Sequence, residues 1–336
     1  MINQSGKIKR PILSANLFFL AILLISIIVP IVLSPFLYVT LGLSQPVALI
    51  AAHFIMFVLP AIIYILITKQ SFKEVLRLNK VSGKEIALSF ALAFLAQPVM
   101  VFFSYIASFF VNNDVAVMLD NLSKTPLWLM ILMIGVTPAI SEEITMRGIV
   151  LSGYKFKNKH IGAIMSGLMF GILHLNPHQF LYAFAMGVIF GYVVTAANSL
   201  IPAMIAHFTI NTTQLLMQRG LIAIQNSAQE FLPSIQESVP SIGDIDQATQ
   251  TLKEIPLASQ IGMGVFLGVI AIGAAYLISL IIKSMEKSKM QDVARVESEN
   301  RFNARSEVIS EKVINIPFIL IIIVYIAYMF LIAMLK

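Results

Sequence analysis

The chain has 336 residues, of which 58% are hydrophobic and only 12% charged, with a net charge of +6. Soluble domains carry about 25% charged residues, so this composition excludes an ordinary globular fold and points to a membrane bundle. The absence of cysteine excludes disulfides, thiol catalysis and Cys-based zinc sites. The basic residues lie in short loops between apolar runs, which is no nucleic-acid footprint.

In chain order, Lys7, Lys9 and Arg10 precede an apolar run from Ser14 to Tyr38. The run is too long for a signal-peptide core and no small-residue cleavage site follows, so it reads as a retained first transmembrane helix. Further windows near the ~20 residues needed to cross a bilayer fall at 46–68, 85–111, 126–150, 161–176, 178–197, 199–217, 258–282 and 314–335. The fifth window is short and closes at Pro177. The expectation is an all-α polytopic transmembrane helix bundle of eight or nine spans.

Loop charge orients it. Lys69, Lys73, Arg77, Lys80 and Lys84 follow span 2, Lys155, Lys157 and Lys159 follow span 4, and a basic cluster from Lys283 to Lys312 follows span 8. Alternation puts all of these on the side of the N-terminus, which is therefore cytoplasmic. The division that follows gives residues 1–125 to spans 1–3, with an interfacial helix near 71–84, and 126–217 to spans 4–7. Residues 218–257 form an external loop, and 258–336 hold the last spans around a polar cytoplasmic segment at 284–312. The location is a multi-pass protein of a cell membrane, with a bacterial plasma membrane as the expected home.

Charges are rare at membrane depth, so each ionisable residue there is a candidate site. These are Glu142, Glu143 and Arg147 in span 4, His174 in span 5, His207 in span 7 and His53 in span 2. Glu143 and Arg147 are i and i+4 and share a face, an ion pair that pins the helix. Glu142 is turned about 100° away with no partner on its own helix, and is the carboxylate left for general-base chemistry. His207 and Asn211 are also i and i+4. His53 stands alone on its helix and reads as a core residue, while Pro177 separates His178 from His174.

One carboxylate and two imidazoles suit hydrolysis by either of two routes. Glu142, His174 and His207 can bind a divalent metal such as zinc, which acidifies its water. Alternatively, Glu142 deprotonates water directly while His207 and Asn211 stabilise the oxyanion. No GxSxG supports serine catalysis.

Three motifs then carry a resemblance. "EEITMR" from Glu142 to Arg147 fits EExxxR, "FGILH" from Phe170 to His174 fits FxxxH, and "HFTIN" from His207 to Asn211 fits HxxxN. In this order, each on an apolar span, they resemble the CAAX protease and bacteriocin-processing (CPBP) family of intramembrane proteases over about residues 125–217. The resemblance implies an active site buried among spans 4, 5 and 7. In it Glu142 activates water, His174, His207 and Asn211 complete the catalytic set, and Glu143, Arg147 and Phe170 support it. It also implies a peptide or protein substrate in the bilayer, and leaves zinc as the candidate cofactor.

Two other readings compete: a non-catalytic protein of the same fold in bacteriocin immunity or regulation, and an ion-coupled transporter, which the lack of an internal repeat disfavours. At ~1.5 Å per residue, Glu142 and His207 lie roughly 10 Å from the cytoplasmic ends of their spans and His174 roughly 20 Å, with the site opening to the cytoplasm.

Overall fold

The computed structural model describes Ile8, residues 10–112, Leu122, and residues 125–231, 254–293 and 311–335. Helices dominate, and there is no β-strand among the described residues. In chain order they are α1 (Pro11–Thr40), α2 (Gln45–Ile67) and the single turn α3 (Phe72–Val75). Next come α4 (Gly83–Ser108), α5 (Leu127–Gly153), α6 (Lys159–Leu173) and α7 (Pro177–Ala197). The chain ends with α8 (Ile201–Phe231), α9 (Leu257–Val293) and α10 (Ile316–Leu335).

Local chemistry sets these boundaries. Ser82 and Glu85 form a reciprocal capping box at the start of α4. Asn176 accepts from the backbone N–H groups of His178 and Gln179, and Pro177 takes the first position of α7, where no N–H is needed. Asn198, in the left-handed conformation at φ 47°, ends α7.

Among the described residues seven helices are long and apolar enough to cross a membrane: α1, α2, α4, α5, α7, α9 and α10. The other two expected spans correspond to α6 and α8. Helix α6 has 15 residues and is roughly 22 Å long, short of the ~30 Å hydrocarbon core. Helix α8 has 31 residues, but Thr209, Asn211, Thr212, Thr213 and Gln214 interrupt its apolar character.

The ends of the helices collect at two faces. At one, Ser199 Oγ donates to the Asn79 carbonyl (2.9 Å), and Asn79 Nδ2 donates to the Asn198 carbonyl (2.7 Å). Ser152 Oγ donates to the Val75 carbonyl (3.2 Å), and the Tyr154 hydroxyl donates to Asn16. Glu311 accepts the backbone N–H groups of Ile12 (3.1 Å) and Leu13 (2.7 Å), and Lys159 pairs with Glu286 at 2.8 Å. At the other face Tyr105 donates to the Gln260 carbonyl (2.8 Å) and Arg219 to the Thr125 carbonyl (2.6 Å). The basic loops therefore meet at one end of the bundle, as their charge pattern requires.

Three boundaries differ from expectation. The interfacial helix near 71–84 shrinks to Phe72–Val75, because the chain beyond it turns to pair with Asn198 and Ser199 and then enters the capping box. Residues 218–231 continue α8 and do not begin a loop, anchored by Arg219 on Thr125 and Met130. Residues 284–293 likewise continue α9. The remaining parts of those segments, 232–253 and 294–310, lie outside the described residues, as do Lys7 and Lys9.

Helices α6 and α7 approach backbone to backbone through small residues: Gly167 meets Gly187, Gly171 meets the Phe180 carbonyl and Gly191 meets Ala163. A Cβ on Gly187 would stand 2.6 Å from the Gly167 Cα and 3.0 Å from the Phe170 Cβ. Backbone cannot yield as a flexible side chain does, so Gly187→Ala is expected to cost about 1–3 kcal/mol. A lowered unfolding midpoint in detergent is the expected reading; an unchanged midpoint would show that the two helices separate freely.

Candidate active site

Arg147 and Glu143 lie one turn apart on α5, and both side chains are fully buried. Arg147 Nη1 donates to Glu143 Oε1 at 2.8 Å, and Nη2 donates to the Gly187 carbonyl on α7 at 3.3 Å. Its guanidinium also lies over the rings of Phe170 (4.3 Å) and Phe190 (5.2 Å). Two aromatic faces, one carboxylate and one carbonyl thus surround the guanidinium, with Nη1 and Nη2 hydrogen-bonded and Nε left without a hydrogen bond among the described residues. The ion pair read from the sequence is present.

The same carboxylate oxygen does a second job. His207 Nδ1 lies 3.0 Å from Glu143 Oε1. A carboxylate only accepts, so Nδ1 carries the proton and donates, which turns Nε2 away from Glu143. Nε2 faces Glu142, at 3.9 Å from its Oε2. That separation is too long for a direct hydrogen bond and of the size that one water oxygen bridges. Glu142 itself keeps 12% of its side-chain surface, whereas Glu143 keeps none, so the adjacent carboxylates have different surroundings.

Phe170 joins the two histidines. Its ring is perpendicular to that of His174 at 4.7 Å and to that of His207 at 5.9 Å. His174 Nδ1 donates to the Phe170 carbonyl at 2.8 Å, leaving Nε2 as the second nitrogen. His174 caps α6, and its ring returns one turn along its own helix, as helical side chains lean toward the N-terminus. That lean turns the ring back onto Phe170, which it meets at 4.7 Å between ring centroids.

Of the expected site residues, Glu142, Glu143, Arg147, Phe170, His174 and His207 stand together. Asn211 is one turn along α8, where its Nδ2 donates to the Ile134 carbonyl of α5 at 3.0 Å. The sequence reading missed His53: it is not isolated, since its Nδ1 lies 3.3 Å from Ser141 Oγ, the residue before Glu142. Only the rule that any ionisable group at membrane depth is suspect pointed to it. Also missed were the π-helical turns that flank the site, Phe54–Val58 directly after His53 and Ile144–Val150 directly after Glu143. Such turns recur at functional sites because they rotate the side chains on either side.

A divalent metal held by Glu142, His174 and His207 is the other route open to this set. Among the described residues no group of three or more His, Cys, Asp or Glu side chains is arranged to hold one ion.

Residues 124–213 match the family model described as Type II CAAX prenyl endopeptidase Rce1-like. Over 108 residues, 32% of this chain, the sequence is 28% identical to a protein of Bacillus subtilis (strain 168) named "Putative membrane peptidase YdiL". The match spans 43% of that relative's length. No solved structure matches the chain.

Proposed function

We propose that this chain, a member of the CAAX protease and bacteriocin-processing family through residues 124–213, is an intramembrane endopeptidase in which Glu142 activates water. The observation that carries the reading is the gap of 3.9 Å between Glu142 Oε2 and His207 Nε2. A water seated there gives one hydrogen to each, and its lone pairs face outward. Glu142 takes one proton as the oxygen adds to the scissile carbonyl, and returns it to the amine as the C–N bond breaks.

The other side chains act around that step. Glu143 fixes the tautomer and orientation of His207 and is itself held by Arg147, an arrangement in which each group orients the next. Asn211 retains one amide hydrogen after its bond to Ile134 and supplies it to the oxyanion. His174 donates its Nδ1 proton to the Phe170 carbonyl, so Nε2 of its neutral ring is an acceptor that helps to position the attacking water. The end of the bundle that gathers the basic loops is the cytoplasmic one, with the N-terminus on that side. The substrate is a peptide or protein segment held in or at the bilayer.

The test compares membranes from cells expressing the wild type with membranes from cells expressing His207→Ala, by mass spectrometry of newly formed peptide termini. Termini that depend on His207 are expected. Identical sets in the two membranes would sink the reading and leave the immunity or regulatory alternative of the same fold.

A further inference from the structure

Helix α2 is not part of the set of residues that the three motifs define, yet it borders the reacting carboxylate. In the regular α-helical stretch Thr137–Glu143, successive side chains are turned by about 100°. Ser141 faces α2, where it meets His53, and Glu143 faces α8, where it meets His207. Glu142, between them in sequence, points midway between these two directions. It lies on the side of α5 between these two contacts, with its Oε2 3.9 Å from His207 Nε2 on α8. Toward the non-basic end, Leu49 and Ile50 of α2 pack against an apolar cluster of Leu122, Met130, Met133 and Leu215. His53 stands one turn along from Leu49 and Ile50, at the edge of this cluster.

The protonation pattern of His53 can be read from its neighbour. Ser141 Oγ donates its only hydrogen to the Thr137 carbonyl at 2.8 Å, so toward His53 it must accept. Nδ1 of His53 thus bears the proton, and Nε2 of the neutral ring is an acceptor. Among the described residues nothing hydrogen-bonds to that nitrogen. Phe57, at 5.3 Å between ring centroids, fixes the ring plane from the next turn.

We infer that His53 is a substrate-contacting residue: the scissile peptide lies beside Glu142 between α2 and α8, with its N–H donated to His53 Nε2. The inference rests on the proposed peptidase reading and deepens it, assigning to α2 one wall of the substrate site. An extended peptide in hydrocarbon has no water to satisfy its N–H, so an acceptor held at the cleaved bond has a direct use. It also orients the amide nitrogen, since the lone pair that develops on it must face the proton on Glu142. Ser141 is the positioning residue, acting through the ring.

The experiment uses the full chain in liposomes, with a substrate that the wild type cuts and Glu142→Gln does not. His53→Leu removes the acceptor but keeps apolar volume, and Ser141→Ala removes only the group that fixes the tautomer. The expected result is a fall in kcat/KM of about tenfold or more for His53→Leu and a smaller fall for Ser141→Ala, with unchanged unfolding midpoints. A kcat/KM within about twofold of wild type for both variants overturns the inference, while the dead Glu142→Gln keeps the peptidase reading standing. If His53→Leu instead unfolds, the fall or constancy of kcat/KM in Ser141→Ala decides alone. A wild type that cuts no substrate removes the parent reading and this one with it.

Discussion

Glu142→Gln is expected to lower peptide cleavage by about 10²–10⁴-fold, the contribution of a positioned general base, without lowering the stability of the bundle. The amide keeps the size of the carboxylate but cannot take a proton. Its neighbours lose little, because Glu142 makes no ion pair closer than the 3.9 Å approach to His207 and retains 12% of its side-chain surface. The measurement is kcat/KM on a peptide substrate beside an unfolding midpoint in the same detergent. Activity within about tenfold of wild type would exclude general-base catalysis by Glu142. Loss of both activity and midpoint would make Glu142 architectural. The contrast with Glu143, fully buried and held by two partners, makes this outcome informative: two adjacent glutamates should fail in different ways.

How much of this was legible in the sequence depends on the range of the interaction involved. The pairing of Glu143 with Arg147 follows from a four-residue spacing on one helix, and the structure realises it at 2.8 Å. The close approach of α6 and α7 rests on residues such as Gly167 and Gly187, whose smallness is visible in the sequence but whose facing positions are not. The bond from His207 to Glu143 was not legible, because it joins residues 64 positions apart and depends on how α8 rotates against α5. For the same reason His53 looked solitary: the partner that reorients it is a serine on α5, 88 positions away. Helix rotation is also what the π turns alter, and no residue pattern in "FIMFV" or "ITMRGIV" announces one. Window boundaries failed in a simpler way. Hydropathy ends α8 where Gln214, Gln218 and Arg219 appear, but the helix continues because Arg219 finds the Thr125 carbonyl. A polar residue ends a window in the sequence; in the fold, a partner lets the helix continue.

The second large effect is expected at the ion pair itself. Removing one member of a fully buried pair leaves a charge without compensation and costs about 3–5 kcal/mol, far beyond the ~0–1 kcal/mol of an exposed pair. Arg147→Met strands Glu143 with His207 as its one remaining partner, and Glu143→Gln strands a guanidinium between Phe170 and Phe190. Each single variant should therefore unfold early in a detergent titration. The double variant removes both charges at similar volume and should recover most of the loss, giving a coupling of about 2 kcal/mol or more in the cycle. Additive losses would mean that the two side chains act independently and that the 2.8 Å contact stabilises nothing. Activity separates the roles further. An amide oxygen still accepts from His207 Nδ1 but polarises the ring less than a carboxylate does, so kcat/KM should stay well below wild type in the double variant even where the midpoint returns. Stability then follows the balance of charge, while catalysis follows the carboxylate behind His207. A double variant that recovered both would reduce Glu143 to a counter-ion and remove it from the proposed mechanism.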